Sequence, residues 1–539
     1  MSASQVRLLL LLGVLPGLMS GFVTVAFTLA LEWVTNAFAY IGPPLAPALG
    51  GLAVGLILLY APETAGAGIN KVVEAYHRTA GRLRRRITWA KPLTSVISLG
   101  SGGSGGQEGP LVQSGAALGS LLADILRLSE GERRVMVLSG AAGAIGAVFQ
   151  APLGGAFFVS EVLYRRLEFE TEALMGAILS AITAYAVYGS FFGFHPLFTV
   201  SISGEMHPWT LPAYALLGAV EAGAAIAFIA LFRFVQGRLE ALRLPLWTKP
   251  ALGGAVVGLI GMGVPGALGV GYGELLRVLE TTPPLSWVLL LILAKLLTTS
   301  FTIGSGGSAG LFGPSVFIGG MVGIGVGRLA GRVFPGLEGM EAEFMMVGMA
   351  AFFASAAKTP LASIIQVIEM SGTYALLVPG LLAGTVSYAL SGPRWTLFPA
   401  QVPSRADSPV HVGTYLQVGL ERLRKAQLTQ DLKLEGIPLP DLADLLQLGR
   451  PVPLDPHERR FFYTLTLPEG TALAGKALRN AGLPTDILIT AVLRRDQVIV
   501  PHGDTVLQPG DRLIVISTPE AMTAFREWLE APVEPRGEA

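Results

Sequence analysis

The sequence predicts an all-α polytopic membrane domain made of two related halves, followed by a smaller soluble α/β domain. Three observations predict it. Of the 539 side chains 51% are hydrophobic and only 14% charged, against about 25% charge in a soluble globular chain, and the mean hydropathy is +0.57; most of the chain is built for a bilayer. GSGGSGGQEGP at 100–110 returns as GSGGSAGLFGP at 304–314, identical at eight of eleven positions across a spacing of 204, so the membrane part carries one structural unit twice. From about Arg405 to Ala539 the chain is charged and punctuated by proline, as a soluble domain is.

Arg7 stands before an apolar run over Leu8–Val34, which resembles the opening of a signal peptide. The run outlasts the apolar core of such a peptide and others follow it, so a membrane helix is expected. Further apolar stretches cover Leu45–Tyr60, Ala173–Val187, Leu211–Phe232, Leu285–Leu297 and Phe344–Phe353. With the shorter ones between, they imply roughly a dozen or more membrane segments. Several are too short to span upright, and 68 glycines and 36 prolines interrupt them, the pattern of broken or tilted helices around a polar interior. The basic run HRTAGRLRRRITWAK at 77–91 has the density of a cytoplasmic loop and is expected to be solvated.

A second block confirms the repeat. SGAAGAIGAVFQAPLGGAFFVSEV at 139–162 lines up with VGMAAFFASAAKTPLASIIQVIEM at 347–370, so that Pro152 meets Pro360 and Glu161 meets Glu369 across 208 residues. The membrane domain is therefore expected over 1–402, in halves of about 1–200 and 201–402. Repeats with discontinuous midplane segments point to a transport site at their interface.

Each copy of the loop runs from small residues through Gly-Pro into an apolar helical pattern, LVQSGAALGSLLADIL or SVFIGGMVGIGVGRLA. Such a turn opens a helix and exposes its first backbone N–H groups. Those donors and the helix dipole hold an anion without a buried Lys or Arg, and glycine lets the backbone approach closely. Two copies from opposed halves aim two helix starts at one point. Glu108 lies inside the first loop, where its repeat mate is Phe312. A carboxylate in so apolar a stretch is a functional candidate: it can occupy the N–H cluster meant for the anion and be released by protonation or by a competing anion. GSGGSG at 100–105 with Asp124 some twenty residues on also fits a dinucleotide fingerprint, which would make the chain a cofactor-binding membrane oxidoreductase, but no βαβ context surrounds it.

Other classes lose ground on composition. There is no cysteine, which removes disulfides, thiolate metal sites and cysteine nucleophiles. The net charge is +0, so no global field draws nucleic acid. The six histidines, at 77, 195, 207, 411, 457 and 502, lie outside the apolar segments and support neither a Ser/His dyad nor a metal site. Glu161 and Glu369 are expected to pair with backbone or Ser groups between helices. In the tail, FYTLTL, ILITAVLR, QVIV and RLIVIST read as strands and PEAMTAFREWLE as a closing helix. A linker with helices is expected over 403–460, the folded domain over 461–530 and a flexible tail over 531–539.

GQEGP at 106–110, GLFGP at 310–314 and GAGIN at 66–70 resemble, in order and spacing, the three anion-binding motifs of the CLC chloride channels and anion/proton exchangers. APLGG at 151–155 and TLFPAQVPSRADSP at 396–409 extend the likeness over about residues 1–410. The resemblance implies some eighteen helical segments in two inverted halves and a multi-pass homodimer of the cell membrane with one pathway per subunit. The implied function is transport, not enzyme catalysis, with chloride or another small anion as substrate and no cofactor. It makes Glu108 the external gate and places the anion against Ala67, Gly68, Ile69, Gly106, Gln107, Gly109, Gly310, Leu311, Phe312 and Phe398. Departures from the family pattern are informative. Ala67 stands where the first motif usually has Ser, Asn70 where it has Pro, Phe398 where an inner Tyr is usual, and Gln107 in place of a basic residue. Two hydroxyl donors are gone, each worth on the order of 1 kcal/mol. Val162 occupies the position of the exchangers' internal proton acceptor, leaving Glu161 as a secondary proton candidate.

The stretch 467–517, through GLP and VIVPHGDTVLQPGD, resembles the C-terminal ligand-binding subdomain of the RCK regulators of potassium channels and transporters. It implies a cytoplasmic, dimeric sensor of a small, nucleotide-like ligand. A potassium transporter would account for such a tail, but the selectivity sequence TVGYG is missing. The expectation is an anion pathway with passive or weakly proton-coupled flux; strict anion/proton exchange is the alternative.

Overall fold

The computed structural model describes residues 3–411, apart from 201, 203–207 and 335, and most of 452–530. Most of the expected 403–460 linker, the 531–539 tail, His207 and His457 lie outside the described residues. Two compact units emerge, Met1–Ser408 and Pro409–Ala539, so the membrane unit continues six residues past 402.

That unit holds two sets of eight α-helices. The first is α1 (Ala3–Ala39), α2 (Ala46–Tyr60), α3 (Ile69–Arg78), α4 (Ile87–Gly100), α5 (Glu108–Ile125), α6 (Glu130–Val148), α7 (Pro152–Glu161) and α8 (Thr171–Phe192). The second is α9 (Leu211–Ala241), α10 (Lys249–Gly263), α11 (Tyr272–Thr281), α12 (Leu285–Gly304), α13 (Phe312–Val333), α14 (Glu341–Ala357), α15 (Pro360–Ser371) and α16 (Leu377–Ser391). The described residues of the unit thus contain sixteen α-helices and five short 3-10 turns, where the resemblance implies some eighteen helical segments. Starts match in pairs: α2 with α10 and α3 with α11 across 203 residues, α5 with α13 across 204, α7 with α15 across 208.

Six described helical spans, in α1, α8, α9, α12, α13 and α16 together with the 3-10 turn Tyr374–Leu376 before it, are long and apolar enough to cross a membrane. Leu59, Leu259, Leu293 and Phe191 stay exposed on the outside of the bundle, where lipid accepts them. The ten residues of α7 rise only about 15 Å and must end inside the protein. Close approach rests on glycine: a Cβ on Gly115 of α5 would strike the Gly140 carbonyl of α6, and one on Gly319 of α13 the Gly348 carbonyl of α14.

Contacts between the halves are reciprocal. Ser95 Oγ meets Ser308 Oγ at 2.7 Å while Ser104 Oγ meets Thr299 Oγ1 at 3.0 Å; 95 and 299 are repeat mates, as are 104 and 308. Contacts of the form i to j′ and j to i′ are what a two-fold axis produces.

The basic run is solvated only in its middle. Arg86 and Arg84 pair with Glu63, and Arg85 reaches Asp124. Both ends of the run are buried, a correction to the expectation of a solvated loop. His77 bonds Ser408 Oγ at 2.9 Å and the Leu163 carbonyl at 3.1 Å, and Lys91 Nζ donates to the carbonyls of Thr64 at 2.8 Å and Gly66 at 2.6 Å. Each polar head finds fixed acceptors, which repay its loss of water.

The second unit contains a five-stranded antiparallel sheet in the order β1 (Val452–Pro453), β2 (Phe461–Thr466), β5 (Arg512–Ser517), β3 (Leu488–Arg494), β4 (Gln497–Ile499). Helix α17 (Pro519–Glu530) packs Phe525 and Leu529 onto Val492, Leu513 and Val515. The four expected strands and the helix are present; β1 is an addition. Arg494 grips buried Asp511 with two bonds of 2.7 Å, and this pairing holds the Asp511 carboxyl below its ordinary pKa.

Candidate functional site

The two copies of the loop meet face to face. Gly106 N–H donates to the Gly310 carbonyl at 2.8 Å and Gly310 N–H to the Gly106 carbonyl at 2.6 Å. Two residues on from each glycine a helix begins, α5 at Glu108 and α13 at Phe312, so both helix starts converge on the bridge. The Glu108 side chain, 1% exposed, turns back across the two glycines, where a Cβ on either would collide with its carboxylate. Its Oε1 accepts the Gly313 N–H at 2.7 Å, while its Oε2 is buried without a hydrogen-bond partner. The carboxylate sits at the donor cluster that opens α13.

The third motif joins by glycine contacts. A Cβ on Gly68 would strike the Gly109 carbonyl, and one on Gly109 would come within 2.8 Å of Gly310 Cα. Residues 66–70, 106–110 and 310–314 therefore share one locus. Ile69 and Leu311 are buried there, and Ala67 and Gln107 half-buried. Phe312 packs edge-on and tilted in an aromatic cluster, with ring centroids 4.1 Å from Phe353, 4.4 Å from Phe149 and 6.5 Å from Phe158.

Toward α3 and the end of α7 the surroundings are apolar. Val162, just past α7, lines a cavity with Ile69, Val72, Val112, Phe158 and Leu163. The segment with Phe398 lies beside it: Ala400 N–H donates to Asn70 Oδ1 at 2.8 Å, and the Gln401 amide donates to the carbonyls of Val162 at 2.9 Å and Ala357 at 2.8 Å. Asn70 thus earns its place as an anchor for 396–401. Phe398 is fully buried and brings no hydroxyl. Glu161 accepts the N–H groups of Leu361 at 3.2 Å and Ala362 at 2.8 Å, and Glu369 those of Leu153 at 3.1 Å and Gly154 at 2.7 Å. Each short helix caps the start of the other.

The dinucleotide reading fails on context. Helix α4, not a strand, leads into GSGGSG, and Asp124 pairs with Arg133 at 2.5 Å.

Sequence reasoning missed several groups around the site. Lys295 Nζ donates to the carbonyls of Gly269 at 2.7 Å and Ala267 at 3.3 Å, repeating what Lys91 does for Gly66 and Thr64. Tyr272 opens α11 as Ile69 opens α3. The signal was available: PETAGAGIN at 62–70 and PGALGVGYG at 265–273 share the 203 spacing, and Lys91 and Lys295 the 204.

Residues 53–392 match the family described as voltage gated chloride channel, and residues 462–530 the TrkA-C domain. The chain is 32% identical over 352 residues to the putative chloride channel protein ClcB-like of Ralstonia nicotianae, covering 64% of this chain and 81% of that one. It is 30% identical over 390 residues to the H(+)/Cl(-) exchange transporter ClcA of Vibrio parahaemolyticus, covering 69% and 83%. Among solved structures, a slow cyanobacterial Cl-/H+ antiporter shares the fold with a TM-score of 0.64 at 22% identity, over 71% of this chain and 94% of the other. A CLC-type fluoride/proton antiporter does so with a TM-score of 0.66 at 22% identity, over 75% and 100%.

Proposed function

Because this chain belongs to the voltage gated chloride channel family, the CLC proteins, and its membrane unit is built for anion transport, we propose that Glu108 gates a passive or weakly proton-coupled anion flux. The substrate is chloride or another small monovalent anion. In the closed arrangement the Glu108 carboxylate holds the donors at the start of α13. Protonation removes its charge and weakens its hold on those donors, so an anion takes its place at the N-termini of α5 and α13, where the helix dipoles favour it. The backbone near Ile69, Leu311 and Phe312 serves the anion on its way.

The observation that carries the coupling assignment is the apolar cavity around Val162. A proton exchanged for an anion needs an acceptor at the gate and a route inward. Glu108 supplies the acceptor, and Val162 with its neighbours supplies no titratable group for the route. Glu161 is committed to the N–H groups of α15. In proteoliposomes with a chloride gradient, little uphill proton movement is expected. A fixed, substantial proton-to-chloride ratio would overturn this assignment. It would establish the second reading, strict exchange, which the similarity to the Vibrio H(+)/Cl(-) exchange transporter favours.

The family and the TrkA-C match support the further parts of the reading. The chain works as a homodimer in the cell membrane, and its tail faces the cytoplasm as a sensor of a small, nucleotide-like ligand.

A further inference from the structure

The axis that relates the two halves carries two residues that line the apolar inner cavity, Ile69 and Phe158, and the Phe312 ring beside Phe158 onto outer counterparts of different chemistry. Ile69 maps to Tyr272 across 203 residues, Phe158 to Gln366 across 208, and Phe312 to Glu108 across 204. An isoleucine and two phenylalanines on one side answer to a phenol, a carboxamide and a carboxylate on the other. A polar atom buried in a membrane protein without a partner is costly, so such atoms on three residues related by the repeat call for a ligand. Tyr272 Oη, both amide atoms of Gln366 and Glu108 Oε2 are buried without a protein hydrogen bond.

The geometry brings them toward one locus. Gly313, whose N–H reaches Glu108 Oε1 at 2.7 Å, has Tyr272 Oη 3.5 Å from where a Cβ on it would stand. Phe198 ties Tyr272 to α15: its ring meets the Tyr272 ring edge-on at 5.5 Å, and its N–H donates to the Met370 carbonyl at 2.9 Å, one turn on from Gln366. Phe158 packs its ring 6.5 Å from Phe312, and Gln366 and Glu108 are the repeat mates of that pair; Gln366 itself packs against Gly154 of α7. A phenol O–H and an amide N–H beside the N–H groups of α13 form a set of donors, which suits an anion.

We propose that Tyr272 and Gln366 are anion-coordinating residues of a subsite on the outer side of Glu108, completed when the Glu108 carboxylate leaves the start of α13. The chain's selective contact with a small monovalent anion then lies in the outer half, while the inner position, with Ala67 and Phe398, offers no side-chain hydroxyl. This inference rests on the anion-transport reading.

The test uses the full-length protein with Glu108→Gln, in which the side chain carries no charge to compete for the cradle. Chloride binding is measured by calorimetry, and the chloride-to-nitrate flux ratio in proteoliposomes. Adding Tyr272→Phe, which keeps the ring, should weaken chloride binding about tenfold, the equivalent of about 1.4 kcal/mol, and change the flux ratio at an unchanged melting temperature. Gln366→Leu should act in the same direction, and it decides alone if the Tyr272 variant does not purify folded. Affinity and flux ratio equal to those of Glu108→Gln in these variants would overturn the subsite. If Glu108→Gln itself neither binds nor carries chloride, the transport reading falls and the subsite falls with it.

Discussion

Gly106 and Gly310 decide where the Glu108 carboxylate can rest, because any side chain on either would occupy its place. The carboxylate is legible in the sequence as a lone charge in an apolar helix start, and its repeat mate Phe312 marks the asymmetry. Tyr272 and Lys91 were not legible in the same way. A tyrosine near a helix start is ordinary until folding leaves its hydroxyl buried without a partner. Lys91 reads as the last member of a basic run until α4 carries it inward to two carbonyls. Glu108→Gln reproduces the shape of the protonated side chain without its charge. Its anion flux should persist and lose its dependence on pH, whereas the unmodified protein should conduct more as the pH falls. Flux measured in proteoliposomes over pH 4–8 checks this, and a variant that keeps the full pH dependence would place the titrating group elsewhere.

At the scale of elements, the pairing of α7 with α15 shows how ten- and twelve-residue helices end inside a membrane protein. The first N–H groups of each helix have no partner in their own backbone, and the glutamate near the end of the other supplies one. The repeat of Pro-Leu and Glu made this pair visible in the sequence, and the expected pairing with backbone is what the bonds show. The direction of the exchange was not visible, since it depends on the two-fold axis. Glu161→Ala leaves the buried Ala362 N–H and the half-buried Leu361 N–H without their acceptor, at roughly 1–3 kcal/mol for a buried one, and should lower the melting temperature in detergent by several degrees. Glu161→Gln retains an acceptor and should keep most of the stability together with the anion flux. A Glu161→Gln variant that is stable but has altered proton movement would return Glu161 to the proton pathway.

For the whole molecule, the change of composition near Arg405 announced two units, because a bilayer and water select different side chains. Composition does not fix the last residue of the first unit, which is set by contacts formed across hundreds of positions. Arg405 pairs with Glu170 at 3.0 Å and Glu172 at 2.9 Å, Ser408 Oγ bonds His77, and Val402 accepts the Arg165 N–H at 2.9 Å. A cut at residue 403 would keep Val402 but strip α3 of Ser408 and the stretch around the start of α8 of Arg405, so a truncation meant to remove only the tail must keep the chain through Ser408. Such a protein should fold and carry anions at the basal rate of the full chain. If the TrkA-C domain is a sensor, nucleotides applied on the tail's side should alter the flux of the full-length protein in proteoliposomes and leave that of the truncated one unchanged. Equal flux from both proteins, with and without each nucleotide, together with no thermal shift of the full-length protein across a nucleotide panel, would make the tail an assembly module instead.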